Sequence, residues 1–496
     1  MKDKSLRQKT IKGVGWSAID NISSYAVTFL VGLVLARLLT PDDYGLIGIV
    51  SIFTAICGCF IRAGFGTALI RKKDATEDDY CTVFVCNLFM SIALYWLLFF
   101  VAPYIASYFR RAELVALIRV SSLGMMISAF SIVQSTRLTK RIDFKSRAMI
   151  TIASAVLRSI VGLAMAFAGL GVWAIVGQSL SGTVTSTILL CRVNRWMPRL
   201  HFSKTSFRYL FGFGSNLLVS DIITTIWNQI YNVVIGRYYQ PATLGQYTRA
   251  KMFDGLLSSN LTVVVQRVTF PVLSEMQDDR VRLKSGYRRV IRTTMLISFL
   301  GSLLMAAVAK PMIIVLVGTQ WIEASYYLQI VLFSTMLFPL HSINLNMLLV
   351  LGRSDLFLKL EIYKKTIAVV PIVLGVFMGI YWMLISSVVV GVIHYYINAY
   401  YSGKLLGYTF KDQVIDIMPS FLISLIGASM AYICYHIIQG VIYSGYDFWA
   451  NLVILIFISI LGVSISLTLF IRTKNPEFFE IKEIAIKALN KLKGIL

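Results

Sequence analysis

Apolar residues along this chain gather into runs of about 20, the length at which a helix crosses a hydrocarbon core of roughly 30 Å. Fourteen such runs are read, at 14–39, 44–70, 80–108, 114–137, 148–169, 172–194, 211–236, 243–270, 290–318, 325–351, 360–380, 382–403, 414–438 and 449–471. The pattern predicts an all-α integral membrane protein. Arg249, Lys251, Asp254 and Arg267 interrupt the eighth run, and the eleventh and twelfth nearly abut.

Polar positions inside the runs line up as stripes. The seventh carries Asn216, Ser220, Thr224, Asn228 and Asn232 at helical spacing, with Asp221, Thr225 and Gln229 on the adjoining ridge. The first carries Ser17, Asp20, Asn21, Ser24 and Thr28 on one face, and the sixth carries Gln178, Ser181 and Thr185. Facing lipid, each such group would cost several kcal/mol. Hydrogen bonding between helices would account for a short patch. Two stripes at matching positions predict a water-filled cavity.

Those positions match because the chain repeats. Ala36-Arg37-x-x-x-Pro41-x-x-x-Gly45 recurs as Gly236-Arg237-x-x-x-Pro241-x-x-x-Gly245. In the same register Asp20, Asn21, Ser24 and Thr28 meet Ser220, Asp221, Thr224 and Asn228. Six runs separate the copies, and an even number gives both the same direction. This predicts parallel repeats about a pseudo-twofold axis normal to the membrane. The expected organisation is two six-helix lobes, 1–200 and 201–403, then a helix pair over 404–475. Pro41 and Pro241 are expected to end a helix connection, and Gly45 and Gly245 to permit its turn. Arg37 and Arg237 would snorkel to the outer interface or line the outer mouth of the cavity.

Composition agrees: 57% of the 496 residues are hydrophobic and only 14% charged. The net charge of +23 does not mark a nucleic-acid binder, because the basic residues sit in short loops between apolar runs. They concentrate on one side, which sets both termini in the cytoplasm of a bacterial inner membrane. Trp173, Trp321, Trp382 and Trp449 fall at the outer ends, as an aromatic belt would. Met1 to Lys12 is basic and runs into the first apolar segment without a small-residue cleavage site, so no cleaved leader is expected. Over 476–496, Ile481, Ile484, Ala488, Leu492 and Ile495 recur at helical spacing against Lys482, Lys487, Lys491 and Lys493, predicting an amphipathic helix on the cytoplasmic leaflet.

Charges inside the runs sharpen the cavity. Arg62, Arg119, Arg158, Arg249, Lys251 and Arg267 outnumber Asp20, Asp221 and Asp254. Intramembrane ionisable groups are costly and default to function. Lys251 with Asp254 would make a structural ion pair. The remaining excess of positive charge calls for an anion. The six cysteines read as small apolar residues, and His201, His341, His394 and His436 stand singly. No phosphate-binding glycine loop, metal cluster or nucleophile constellation is present, so neither an ATPase nor any cofactor is expected.

Ala36-Arg-Leu-Leu-Thr-Pro-Asp-Asp-Tyr-Gly45, then Ala63-Gly-Phe-Gly-Thr-Ala-Leu-Ile-Arg71 and Asp78-Asp79 to Asn87, resemble the polysaccharide transporter family. These are the Wzx-type flippases of the multidrug/oligosaccharidyl-lipid/polysaccharide superfamily. The resemblance covers the chain in span count and lobe layout and points to exporters of lipopolysaccharide, O-antigen or colanic-acid type. It implies a flippase that carries undecaprenyl-pyrophosphate-linked oligosaccharide to the periplasmic face by alternating access. Spans one, two, seven and eight would line the cavity. Asn21, Ser24, Thr28, Asn216, Ser220, Thr224, Asn228, Gln229 and Gln178 would take sugar hydroxyls. Arg62, Arg158 and Arg249 would take the pyrophosphate, within a cationic cavity that Lys251, Arg267 and Arg119 complete. Asp20, Asp221 and Asp254 are the residues for any ion coupling. A polysaccharide polymerase and a chain-length regulator are the expected partners, besides the bilayer.

Two alternatives remain. A drug/cation antiporter of the same superfamily would carry an excess of buried acid, and this chain carries an excess of base. A membrane polymerase or ligase would carry a large external loop with catalytic groups, and the external loops here are short. The reading is a transporter and no enzyme.

Overall fold

The computed structural model describes residue 16 and residues 23–62, 64–442 and 447–493. Among these the regular elements are helices: Ser23–Leu38 (α1), Pro41–Arg62 (α2), Phe65–Arg71 (α3), Glu77–Phe109 (α4), Leu114–Lys140 (α5), Phe144–Phe167 (α6), Trp173–Asn194 (α7), Lys204–Tyr238 (α8), Pro241–Ser274 (α9) and Arg280–Ala307 (α10). They continue with Ala309–Val317 (α11), Ile322–Thr335 (α12), Phe338–Val350 (α13), Ser354–Ile367 (α14), Val369–Met378 (α15), Ile380–Leu406 (α16), Phe410–Ile437 (α17), Phe448–Arg472 (α18) and Pro476–Lys493 (α19).

Twelve helical stretches among the described residues are long and apolar enough to cross a membrane. They correspond to every expected run but the first and the eleventh. The first is described from Ser23, so Ser17, Asp20 and Asn21 lie outside the described residues. The eleventh is two short helices, α14 and α15. Its break stands one turn before a proline. Proline lacks an N–H and its ring clashes with the carbonyl four residues back. Pro371 stands four residues after Ile367, where α14 ends. Pro311 stands in the same relation to the end of α10, and Pro339 to the end of α12.

Two compact units divide the chain, Met1–Gly245 and Gln246–Leu496, with the division inside α9. In the first unit, Phe65, Leu69, Tyr80, Phe84, Val133 and Leu210 are buried together and join α3, α4, α5 and α8. The start of α4 is fixed by a capping box. Thr76 accepts from the Asp79 amide, and the Asp79 carboxylate accepts from the Thr76 amide at 2.8 Å. That carboxylate is fully buried and also meets Lys72 Nζ at 2.7 Å.

The repeated Pro/Gly motif shapes this unit as the sequence expects at the prolines and differently at the glycines. Pro41 and Pro241 are the first residues of α2 and α9, where a missing N–H costs nothing. Thr40 caps α2, its amide donating to Asp43 at 2.9 Å. Gly45 and Gly245 lie inside these helices rather than in a turn. A side chain on Gly45 would run into the backbone carbonyl of Pro241, and one on Gly245 into that of Pro41. The two helix starts cross in reciprocal contact, each glycine admitting the other's proline backbone.

In the second unit the core runs along α10. Leu283, Tyr287, Ile291, Met295, Phe299 and Leu303 recur every four residues and are all buried. The Tyr287 hydroxyl donates to Asn344 Oδ1 at 2.6 Å, as does the Ser402 hydroxyl at 2.6 Å. The start of α19 is docked on α10. Glu477 meets Arg292 at 2.5 Å, Glu480 meets Arg289 at 2.6 Å, and Phe478 stacks on Phe470.

Candidate functional site

The first unit contains a polar groove in two parts that share the wall residue Ser131. The larger part is a cavity of about 620 Å³. Its lining includes Arg62 at the end of α2, Gly64, Gly66 and Thr67 around α3, Ser131, Ser135, Thr136 and Thr139 on α5, Arg147 on α6, and Ser220 and Asp221 on α8. Glycine makes this meeting of helices feasible. Gly64 has φ +67°, and a Cβ there would sit 2.8 Å from the Gly214 carbonyl oxygen. Arg62 folds back over Gly58, whose added Cβ would lie 3.3 Å from its Nη1. Its Nη2 approaches Cys59 Sγ at 3.7 Å, and that sulfur contacts Thr225 Oγ1 at 3.1 Å.

The smaller part, about 320 Å³, lies among α5, α6 and α7 and is lined by Ser131, Thr151, Ser154, Ala155, Arg158, Ser179, Gly182, Thr183 and Ser186. Ser131 lines both parts. The Arg158 stem packs over Gly182, where an added Cβ would meet its Cδ at 3.0 Å. Its guanidinium donates to the Thr28 hydroxyl of α1. Ser154 is only 6% exposed, and its Oγ has no hydrogen-bond partner in the protein. None of the ion pairs among the described residues involves Arg62, Arg147 or Arg158.

The groove thus brings together Arg62, Arg158, Thr28, Ser220 and Asp221 from the sequence-derived set. Asn216, Thr224 and Asn228 are exposed on α8 beside them, and Gln229 accepts from Asn232 Nδ2 at 2.7 Å. Ser24 is half-buried on α1, and Gln178 on α7 packs against Gly162. Asp20 and Asn21 lie outside the described residues.

The other cations stand elsewhere. Arg119 donates from Nε to the Phe99 carbonyl at 3.2 Å and lies 4.0 Å from the centre of the Phe99 ring. Arg237 lies over the Tyr108 ring, and Arg37 is exposed near the end of α1. Three belong to the second unit. Arg249 is 3% exposed and sits over the Trp321 ring at 4.8 Å. Lys251 pairs with Asp254 at 2.9 Å, and Asp254 also accepts from Thr335 at 2.5 Å. Arg267 is exposed on α9.

Sequence reasoning missed most of the groove's walls. Arg147, Thr151, Ser154 and Arg158 fall at i, i+4, i+7 and i+11, one face of α6. Ser131, Ser135 and Thr139 repeat every fourth residue on α5, as Ser179 and Thr183 do on α7. That periodicity is the signal that would have found them.

Fold and site together define a multi-pass membrane protein of transporter architecture. The fold is shared with a lipid II flippase, MurJ, in an inward closed conformation, at TM-score 0.67, 14% identity, and coverage of 91% of this chain and 98% of that one. It is also shared with an inward-facing multidrug resistance transporter described as a member of the MOP superfamily, at TM-score 0.58, 18% identity, and coverage of 77% of this chain and 94% of that one. Residues 34–326 match the family model described as polysaccharide biosynthesis protein, and the chain belongs to that family. Relatives include the succinoglycan biosynthesis transport protein ExoT of Rhizobium meliloti, 26% identical over 64% of this chain and 65% of its own length. The lipopolysaccharide biosynthesis protein WzxC of Escherichia coli is 23% identical over 88% of this chain and 89% of its own length. Of these proteins, ExoT is named a transport protein, MurJ a flippase and the second structural neighbour a transporter.

Proposed function

We propose that this protein moves a diphosphate-linked lipid oligosaccharide from the cytoplasmic to the periplasmic face of the inner membrane for polysaccharide assembly. The observation that carries the reading is the groove: guanidinium groups without an acidic partner set among serine and threonine hydroxyls. A sugar cannot enter hydrocarbon because its hydroxyls lose their partners there. A hydroxyl-lined groove returns those partners. Guanidinium donors match phosphate oxygens in geometry. Arg62, with Arg147 on the facing wall, takes the diphosphate, while the isoprenoid tail stays in lipid. Ser131, Ser135 and Ser220 take sugar hydroxyls. The groove opens alternately to the two faces. A negative interior aids the export of each negative charge by about 2.3 kcal/mol per 100 mV. Asp221, in the groove wall, is the group for coupling to a cation.

The test uses cells with a defined polysaccharide pathway and this gene deleted. Lipid-linked repeat units are assayed on each membrane face. Accumulation on the cytoplasmic face, rescued by the wild type but not by Arg62→Ala, is the expected result. Units that still reach the outer face but stay unpolymerised would sink the proposal in favour of a polymerase or ligase role.

A further inference from the structure

Resting on that reading, we infer that the groove recognises two anionic groups on one cargo: the diphosphate at Arg62 and Arg147, and an acidic substituent on the glycan, a few sugars away, at Arg158. The placement of the arginines carries this. Arg147 and Arg158 are three helical turns apart on one face of α6, so their bases are separated by about 16 Å along the axis. Their heads are tied to different helices, Arg147 donating to the Thr139 hydroxyl of α5 at 3.1 Å and Arg158 to Thr28 of α1, so a diphosphate, two phosphorus centres sharing one oxygen, seated at the first leaves the second open. The interval is lined by hydroxyls, Thr151 and Ser154 on α6 and Ser131 on α5. That wall suits neutral sugar units lying between two charges.

Arg158 is also built as a separate station. Its stem is fixed over Gly182, and its guanidinium is aimed by the Thr28 hydroxyl rather than neutralised by a carboxylate. Beside it the buried Ser154 Oγ lacks any protein partner. An arginine held without an acid at membrane depth is costly unless a ligand supplies the charge. A sugar carboxylate would accept from the guanidinium and from Ser154 together. A neutral repeat unit offers hydroxyl acceptors to both but leaves the Arg158 charge uncompensated.

The full-length protein, reconstituted in lipid nanodiscs, is tested with four synthetic probes. These are a polyprenyl diphosphate without sugar, the same lipid bearing a neutral tetrasaccharide, and two tetrasaccharide forms with one uronic acid, placed either terminally or on the first sugar. The terminal-acid probe is expected to bind at least about tenfold tighter than the neutral one, the scale of a charge-assisted contact. The first-sugar acid should bring no such gain. Arg158→Gln should erase the preference while leaving the sugar-free diphosphate bound as before, and Arg158→Lys should retain part of it. Equal binding of the neutral and terminal-acid probes, or a preference that survives Arg158→Gln, overturns the second station alone. Failure of every diphosphate probe to bind overturns the flippase reading beneath it as well.

Discussion

The backbone of Gly45 lies against the backbone carbonyl of Pro241, leaving no room for a side chain between them. Gly245 and Pro41 repeat the relation in reverse. Gly45→Ala and Gly245→Ala should each destabilise the protein by about 1–3 kcal/mol, the usual range for overpacking a close contact. Because the four residues share one crossing, the double variant should depart from additivity. Thermal unfolding midpoints of the purified variants measure both effects, and wild-type midpoints for the single variants would refute the crossing.

Gly182 serves Arg158 in a comparable way. A methyl group there presses on the arginine stem and must displace it by a few tenths of an ångström. Gly182→Ala should leave the protein folded and inserted while lowering repeat-unit export several-fold, and Gly182→Val should abolish it. Export in the lipid-linked-unit assay, read beside a thermal midpoint within the wild-type range, separates a displaced Arg158 from a collapsed helix pair.

Asp79 holds the start of α4 through its own cap and through Lys72. Removing one partner of a buried pair costs about 3–5 kcal/mol. Asp79→Asn keeps the shape and part of the cap but loses the charge, so a loss of at least about 2 kcal/mol is expected. Chemical denaturation in detergent reads it. A change below half of that would show that Lys72 finds another carboxylate.

The pairs at Arg292 and Arg289 fasten α19 to α10. Arg292→Ala strands the nearly buried Glu477 and should release the helix without unfolding the rest. Limited proteolysis should then cut after the end of α18 at least about tenfold faster, as a local opening penalty of roughly 1.4 kcal/mol is removed. An unchanged cleavage rate would mean the apolar contact of Phe478 with Phe470 holds α19 alone.

Much of the fold could be read from apolar runs, because a membrane span is a local property of about 20 residues. The repeat was legible as well, but its reason was not. Gly45 looks like a turn residue by its letters, and only the crossing with α9 shows why a side chain is excluded. Arg62 and Arg158 were visible because a cation in an apolar run is conspicuous. Their hydroxyl neighbours were not, since a serine or threonine in a helix can satisfy itself on the preceding turn. Thr139 bonds the Ser135 carbonyl at 3.0 Å and Thr183 the Ser179 carbonyl at 3.0 Å. Such residues cost little wherever they point, so their presence does not announce a cavity. Arg249 and Lys251 drew attention for the same reason as Arg62. Their neighbours, the Trp321 ring and a carboxylate shared with Thr335, include residues far along the chain.

The break between α14 and α15 has one further consequence. The proline beside it is part of the covalent chain, so no N–H is available there to bond the Ile367 carbonyl. Pro371→Ala would restore an amide hydrogen to the Ile367 carbonyl, and residues 354–378 would then have every donor needed to run as one rod. That rod would be long enough to reach from one leaflet to the other. At that position the chain lacks one hydrogen atom, and the rod lacks one backbone bond with it.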